Sequence, residues 1–205
     1  VRPSHMKNAD LCKCAKLCHI PYGTCIFNGK TLETVCGFKH LQYYDFVFSE
    51  TSDHTTIYNE KKSHYPFSDT KIIQVGSPKF DYIYYNFFAS NSSYFDQVIL
   101  YTPRWTMAEK ACSFFDIYEK LFDLAENNPN IKYIFRPHPL MKKNFTEKIW
   151  SNDEWDNFVK RFKRLKNAHI DLNPSYLDSF REASVLISDM SSLLPEFLLS
   201  KKPVI

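Results

Sequence analysis

The sequence predicts an α/β protein built on a parallel β-sheet with helices on both faces. Three observations carry this. Beyond the polar stretch Ser90-Asn91-Ser92-Ser93, short apolar runs of strand length alternate with segments whose apolar residues recur at helical spacing. The helical segments are long enough to serve as the right-handed crossovers that join parallel strands. Finally, stretches rich in Pro, Ser, Arg and His fall directly after the apolar runs. In parallel sheets that position, outside the carboxyl ends of the strands, is where ligands bind.

Taken in order, the first ninety residues are the less regular part. Ile20-Pro21-Tyr22-Gly23 reads as a turn, Tyr44 to Phe48 as a strand and Thr55 to Lys62 as a helix ending before Pro66. Lys71 to Val75 is a second strand, closed by Gly76-Ser77-Pro78, where glycine lets the backbone bend or approach a ligand. After the aromatic run Tyr82 to Phe88, the Ser90–Ser93 stretch is the expected linker between a partial N-terminal lobe, 1–90, and a second lobe, 91–205.

In that second lobe Val98 to Tyr101 is a strand, and Met107, Ala111, Phe114, Tyr118, Leu121 and Ala125 mark one face of a long helix stopped by Asn127-Asn128-Pro129. Ile131 to Phe135 is the next strand, Trp155, Phe158, Phe162 and Leu165 mark a helix, His169 to Leu172 a third strand and Leu177 to Ala183 a further helix. The fourth strand is the short apolar run within Ser184-Val185-Leu186-Ile187-Ser188, which passes through a Ser-Asp-Met-Ser-Ser turn into helical spacing over Leu193 to Leu199. Lys202-Pro203-Val204-Ile205 reads as the start of another strand, so the expectation is a piece of a longer protein.

Composition limits what such a sheet serves. The chain has 205 residues, 44% of them hydrophobic and 17% aromatic, which fits a soluble globular protein with an aromatic interior. A net charge of +3, from 26 basic and 23 acidic residues, argues against a nucleic-acid groove. The basic cluster from Lys160 to Lys166 is interleaved with Phe158, Val159, Phe162 and Leu165, the pattern of a solvated helix face opposite a buried one. With no apolar run of spanning length and no signal-peptide core at the start, the expected compartment is the cytoplasm. Ser4-His5-Met6 reads equally as a cloning scar or native sequence, and no function is placed on residues 1–6. Of the six cysteines, Cys12, Cys14, Cys18, Cys25 and Cys36 lie early and Cys112 stands apart; no second pair completes a zinc site, so reduced thiols and no metal are expected.

The chemistry-bearing residues fall at three strand ends: Thr102-Pro103-Arg104-Trp105, Arg136-Pro137-His138-Pro139 and Asp189-Met190-Ser191-Ser192. Arg136 offers a planar fork suited to phosphate, and His138, held between prolines, can hydrogen-bond or move a proton near neutral pH. Hydroxyls and free N–H groups at the start of the last helix suit an anion. Each has a plainer alternative. Arg136 can pair with a local carboxylate, His138 can satisfy a loop carbonyl, and Asp189 or Ser191 can simply cap the helix. Their coincidence at equivalent positions favours a phosphate-bearing ligand.

These motifs, with Glu196-Phe197 and Lys202-Pro203-Val204-Ile205, resemble the CDP-glycerol glycerophosphotransferases of teichoic-acid and capsule assembly. Gly76-Ser77-Pro78-Lys79-Phe80-Asp81 is similar to the family's Gly-x-Pro-Arg-x-Asp element, with Lys79 in place of Arg. The resemblance implies a GT-B fold of two Rossmann-like lobes, and transfer of glycerol phosphate from CDP-glycerol to a hydroxyl of a polymer or membrane-linked primer, with release of CMP. No cofactor is implied. The donor is CDP-glycerol or another nucleotide-diphosphate donor, the acceptor is a polymer or lipid-linked primer, and peripheral association with the inner face of the membrane is expected. Carried over by motif, Arg136 and His138 would meet the pyrophosphate, Ser191 and Ser192 would cradle its oxygens, Thr102 and Arg104 would border it, and Glu196 would face the ribose or glycerol. Asp189 more naturally fixes the turn, since a carboxylate repels phosphate.

The sequence departs from the family pattern in its N-terminal lobe. It contains no His-Gly dipeptide, the family's general-base element, and His19 is the nearest substitute. Two other readings stay open: a GT-B glycosyltransferase using a nucleotide sugar for capsule or lipopolysaccharide, and a truncated, non-catalytic domain.

Overall fold

The computed structural model describes residues 16–21, 44–64, 69–87, 97–107 and 111–205. Residues 1–6, Cys12, Cys14, Cys25, Cys36 and the Ser90–Ser93 linker lie outside the described residues. The chain divides into two compact units between Asp81 and Tyr82.

The first unit has a three-stranded parallel sheet, order β1 (Cys18–His19), β2 (Phe46–Ser49), β3 (Lys71–Gln74). Helix α1 (Ser52–Lys62) joins β2 to β3. It starts three residues earlier than its apolar spacing suggests, because the Thr51 side chain accepts the His54 N–H at 3.1 Å and sets the N-terminus. Asp53 in its first turn and Lys61 and Lys62 in its last complement the helix dipole. A small core of Tyr44, Val47 and Tyr58, with Leu17, Ile57 and Ile72 against it, holds α1 to the sheet. Gly76 has φ +80°, a left-handed conformation that favours glycine, and turns the chain into α2 (Pro78–Phe87). The aromatic run is therefore helical. In the part of α2 that belongs to the second unit, Ile83 is buried while Tyr82, Tyr84 and Tyr85 are exposed.

The second unit is the regular one. Its strands are β4 (Gln97–Thr102), β5 (Ile131–Phe135), β6 (Ala168–Ile170) and β7 (Val185–Ser188), all parallel in the order β6-β5-β4-β7. Val204 bridges Leu186 in parallel, so the residues after Lys202 lie beside β7 as the sequence suggests. The helices are α3 (Phe114–Asn127), α4 (Met141–Thr146), α5 (Asn152–Arg164), α6 (Leu177–Glu182) and α7 (Leu193–Leu198).

Strand alternation splits the core into two layers. Val98, Leu100, Ile134 and Leu186 join Phe180, Ala183 and Phe197 on one face. Tyr101 and Phe135 join the aromatic layer of α3, α4 and α5 on the other. Phe114, fully buried, lies 5.3 Å from the rings of both Phe145 and Phe158 and 5.8 Å from Phe135. Each such ring pair adds about 0.5–1.5 kcal/mol beyond the area it buries. Helix α5 starts on a capping box, Ser151 with Glu154, and its basic face is solvated as expected, with Arg161 reaching Glu119 at 2.6 Å.

Three sequence expectations need correction. Helix α3 begins at Phe114, not Met107: of the residues before it, Met107 and Ala111 to Ser113 are described and are not helical, and the Ser113 N–H is taken by Asp189. Strand β6 stops at Ile170, since Asp171 turns aside to Arg136. Helix α4, with Met141 and Phe145 buried, is an element that the apolar spacing did not mark. Lys202 has a structural role: its Nζ donates to the carbonyls of Phe180, Arg181 and Ala183 at 2.6–3.1 Å, capping α6 with a positive charge. No helix among the described residues is long and apolar enough to cross a membrane.

Candidate functional site: a cleft at the strand ends

The strand order reverses direction at β4, with β5 and β6 to one side and β7 to the other. The carboxyl ends of β4 and β7 are the switch point where parallel sheets open a crevice. A cleft of about 860 Å³ lies there, and all of its lining residues belong to the second unit. Thr102, Arg104, Arg136, His138, Ser191 and Ser192 all border it, so the three motifs converge as the sequence suggests.

At the switch point the wall is made of short polar side chains. Thr102 and Ser188 are partners across β4 and β7, and the Thr102 hydroxyl donates to Ser188 Oγ at 2.8 Å. Asp189 Oδ2 accepts the backbone N–H groups of Arg104 at 2.7 Å and Ser113 at 3.0 Å. It therefore ties the β4 loop to the β7 turn, the turn-fixing role expected of it. Arg104 Nη1 donates to the Met190 carbonyl at 2.8 Å. Ser191 Oγ accepts the Leu193 N–H at 3.3 Å, whereas Ser192, at the N-cap of α7, makes no capping bond through its side chain.

His138 is set by two contacts. Its ring stacks on Trp105 at 5.2 Å with an interplanar angle of 23°. Its Nδ1 accepts the Leu140 N–H at 3.1 Å, which requires that nitrogen to carry no proton. The neutral imidazole then holds its proton on Nε2. Burial, and then the charge of Arg104, hold His138 below its ordinary value of 6.5, so the ring is neutral at pH 7. The result is a fixed Nε2–H donor at the cleft.

Arg136 is engaged on the β6 side. Its guanidinium pairs with Asp171, which is buried and also accepts from the Ser179 hydroxyl and from the Asn173 N–H at 2.9 Å. The carboxylate alternative for Arg136 is thus realised. Burial alone would raise the Asp171 pKa, but the bonds from Ser179, Asn173 and Arg136 outweigh it and hold the group below its ordinary value. Glu196 is 1% exposed and is hydrogen-bonded to Tyr176, and Tyr176 is the residue that lines the cleft there. Burial, and then Glu196, push the Tyr176 phenol upward. His19 lies in β1 of the first unit with its ring 5.2 Å from Tyr44, and burial holds it below its ordinary value.

The sequence reading names Trp105 only within its motif, without the stacking role, and does not single out Asp171 as a brace or Tyr176 as wall. The available signal was the Asp-Leu-Asn-Pro stretch that closes the third apolar run, the same polar punctuation that flagged the other strand ends. Among the described residues no group of three or more His, Cys, Asp or Glu is placed to hold a metal. Cys112 is buried and donates through Sγ to the Arg104 carbonyl at 3.0 Å.

The family model described as CDP-Glycerol:Poly(glycerophosphate) glycerophosphotransferase matches residues 31–205. The chain belongs to this family. No curated protein matches it. Among solved structures, UDP-GlcNAc 2-epimerase from Methanocaldococcus jannaschii shares 18% identity over 91% of this chain and 53% of its own, with a TM-score of 0.53. The enzyme of that name from Neisseria meningitidis, bound to UDP-GlcNAc, shares 18% identity over 92% of this chain and 52% of its own, also at 0.53. The wall teichoic acid polymerase TagF shares 17% identity over 92% and 46%, at 0.45. The chain spans about half the length of these structures. At such identities the likeness to the epimerases is one of fold, and it agrees with the α/β, GT-B-like class expected for the glycerophosphotransferase family.

Proposed function

We propose that the protein containing this chain transfers glycerol phosphate from CDP-glycerol to a hydroxyl of a teichoic-acid-like or capsular polymer. The acceptor oxygen attacks the phosphorus that carries the glycerol and forms a new P–O bond. The bond to the bridging oxygen breaks, CMP leaves with the electron pair, and the acceptor's proton passes to a base. Residues 91–205 act as the donor lobe and residues 1–90 as the acceptor side, where His19 is the candidate base.

The single observation that carries this reading is the strand-end cleft of a glycerophosphotransferase-family chain, bordered by a fixed His138 Nε2–H, Arg104 and the Ser191 and Ser192 hydroxyls. Phosphoryl transfer depends on positioned donors around spreading negative charge more than on covalent help. His138 donates to a non-bridging oxygen of the pyrophosphate, Arg104 supplies positive charge, and the two serines hold the phosphate nearer β7. Asp189 accepts the backbone N–H groups of Arg104 and Ser113 and so keeps these donors in register. Because such acceptors grow on lipid carriers, the protein works in the cytoplasm at the inner face of the membrane.

Full-length protein given CDP-glycerol and a lipid-linked primer is expected to release CMP as the primer lengthens. UDP or CMP release from a nucleotide sugar, with CDP-glycerol untouched, would replace this reading with a glycosyltransferase. Turnover of neither donor would leave a binding domain.

A further inference from the structure

Arg136 has the residue type of a phosphate clamp, and its surroundings give it another task. The side chain is 13% exposed and Asp171 4%. Nη1 donates to Asp171 Oδ2 and, at 3.3 Å, to the Ser175 carbonyl. Nη2 donates to the Asn173 carbonyl at 2.6 Å and the Pro174 carbonyl at 3.4 Å. The two terminal nitrogens carry four protons, and four acceptors face them, all on one loop. A phosphate would have to displace carbonyls from a filled fork. The positive charge is also matched, since Asp171 keeps its carboxylate ionised through bonds from Ser179 and the Asn173 N–H. An Arg–Asp pair of this kind presents little net charge to a ligand.

The loop so held forms part of the cleft wall. Leu172, Asn173, Pro174 and Tyr176 line it, and Leu172 is 76% exposed. The loop runs from the end of β6 to the start of α6, and Asn173 to Tyr176 contains no helix or strand to stiffen it. Its shape is set from outside, by a guanidinium projecting from the end of β5.

We propose that Arg136 is a positioning residue and not a phosphate ligand: with Asp171 and Ser179 it braces the 172–176 loop so that this wall meets the nucleotide in a single shape. The proposal rests on the nucleotide-diphosphate reading of the cleft, and two kinds of measurement keep the two separable. The first is calorimetric binding of cytidine, CMP and CDP, ligands that differ only in phosphate number. Arg136→Lys keeps the charge and loses the fork, and it is expected to weaken all three by a common factor of about tenfold, through a misplaced wall. Asp171→Asn should weaken them likewise. A phosphate clamp gives the opposite pattern: a penalty that grows with each phosphate and spares cytidine, and tighter CDP binding in Asp171→Asn, where the guanidinium is released. Either result overturns the proposal.

The second measurement needs no ligand. Amide hydrogen exchange over 172–176 should quicken in Arg136→Lys while β4 and β5 stay protected, and unchanged exchange would overturn the brace. If wild-type protein binds none of the three ligands, the functional reading fails and exchange alone decides the brace. Should Arg136→Lys not fold, Ser179→Ala removes one bond to Asp171 and leaves Arg136 in place. It must still speed exchange in the loop, and protection equal to wild type would contradict the proposal.

Discussion

Each of the two units carries a histidine that rests on an aromatic ring and is held below its ordinary pKa by burial, and the two are built in differently. His19 sits within β1 against Tyr44, in a unit whose buried core is Tyr44, Val47 and Tyr58, and among the described residues no hydrogen bond orients its ring nitrogens. His138 follows the end of β5, rests on Trp105, has Nδ1 fixed by the Leu140 N–H, and borders a cleft whose supporting loops are tied by Asp189. A lowered pKa and an aromatic neighbour are thus shared by both and distinguish neither. What marks His138 is the hydrogen bond that sets its tautomer, together with its place at a strand end, which leaves Nε2–H as a donor of known character.

The largest expected effect tests that difference in the protein containing this chain, given the donor and acceptor of the proposed reaction. His138→Ala should lower turnover by about a hundredfold or more and weaken CDP binding as well, as the proposed contact between this group and the donor requires. His19→Ala should lower turnover by a similar factor of about a hundredfold, as loss of a base does, and leave CDP affinity unchanged. Equal losses of affinity in both variants would erase the distinction. Unchanged turnover would remove that histidine from the mechanism.

A smaller effect compares two aspartates that tie loops. Asp45 accepts the Leu17 N–H and the Lys16 ammonium, each at 2.8 Å, in the first unit, and Asp189 accepts two backbone N–H groups in the second. Asp189→Ala strands both of those donors and should cost about 2–4 kcal/mol in denaturant unfolding. Asp45 pairs with an exposed lysine, so Asp45→Ala should cost less. A larger loss for Asp45 would mean that the first unit, not the cleft, anchors the chain's stability.

The second unit was the more legible in sequence, for reasons visible in single residues. Val98, Leu100, Ile134 and Leu186 form one buried layer, and the dense apolar runs that carry them, Val98 to Tyr101, Tyr133 to Phe135 and Val185 to Ile187, make β4, β5 and β7 readable in the sequence. Helix α4 was not visible because a six-residue helix shows only Met141 and Phe145 as buried residues, too few to establish a period. The start of α3 is hidden in the sequence because Met107 and Ala111 fit the helical spacing, while a carboxylate far along the chain, Asp189, takes the Ser113 N–H. In the site, the strand ends were legible as motifs, but the partner of Arg136 was not. Asp171 lies 35 residues further on and becomes its neighbour only once β5 and β6 pair.

In the proposed function, the strand-end cleft of the second unit receives a nucleotide pyrophosphate at His138. The most direct test is the titration of both histidines by NMR, with and without CDP. Without ligand, each native pKa lies below 6.5, so the neutral ring contributes stability that is complete above 6.5 and is lost as pH falls through the native value. A pyrophosphate beside Nε2–H favours the imidazolium and raises the His138 pKa, so that CDP binds more tightly as pH falls from 7.5 toward 6. The expected result is an upward shift of the His138 midpoint on CDP binding, with His19 unmoved. CDP binding that leaves the His138 midpoint in place would contradict it.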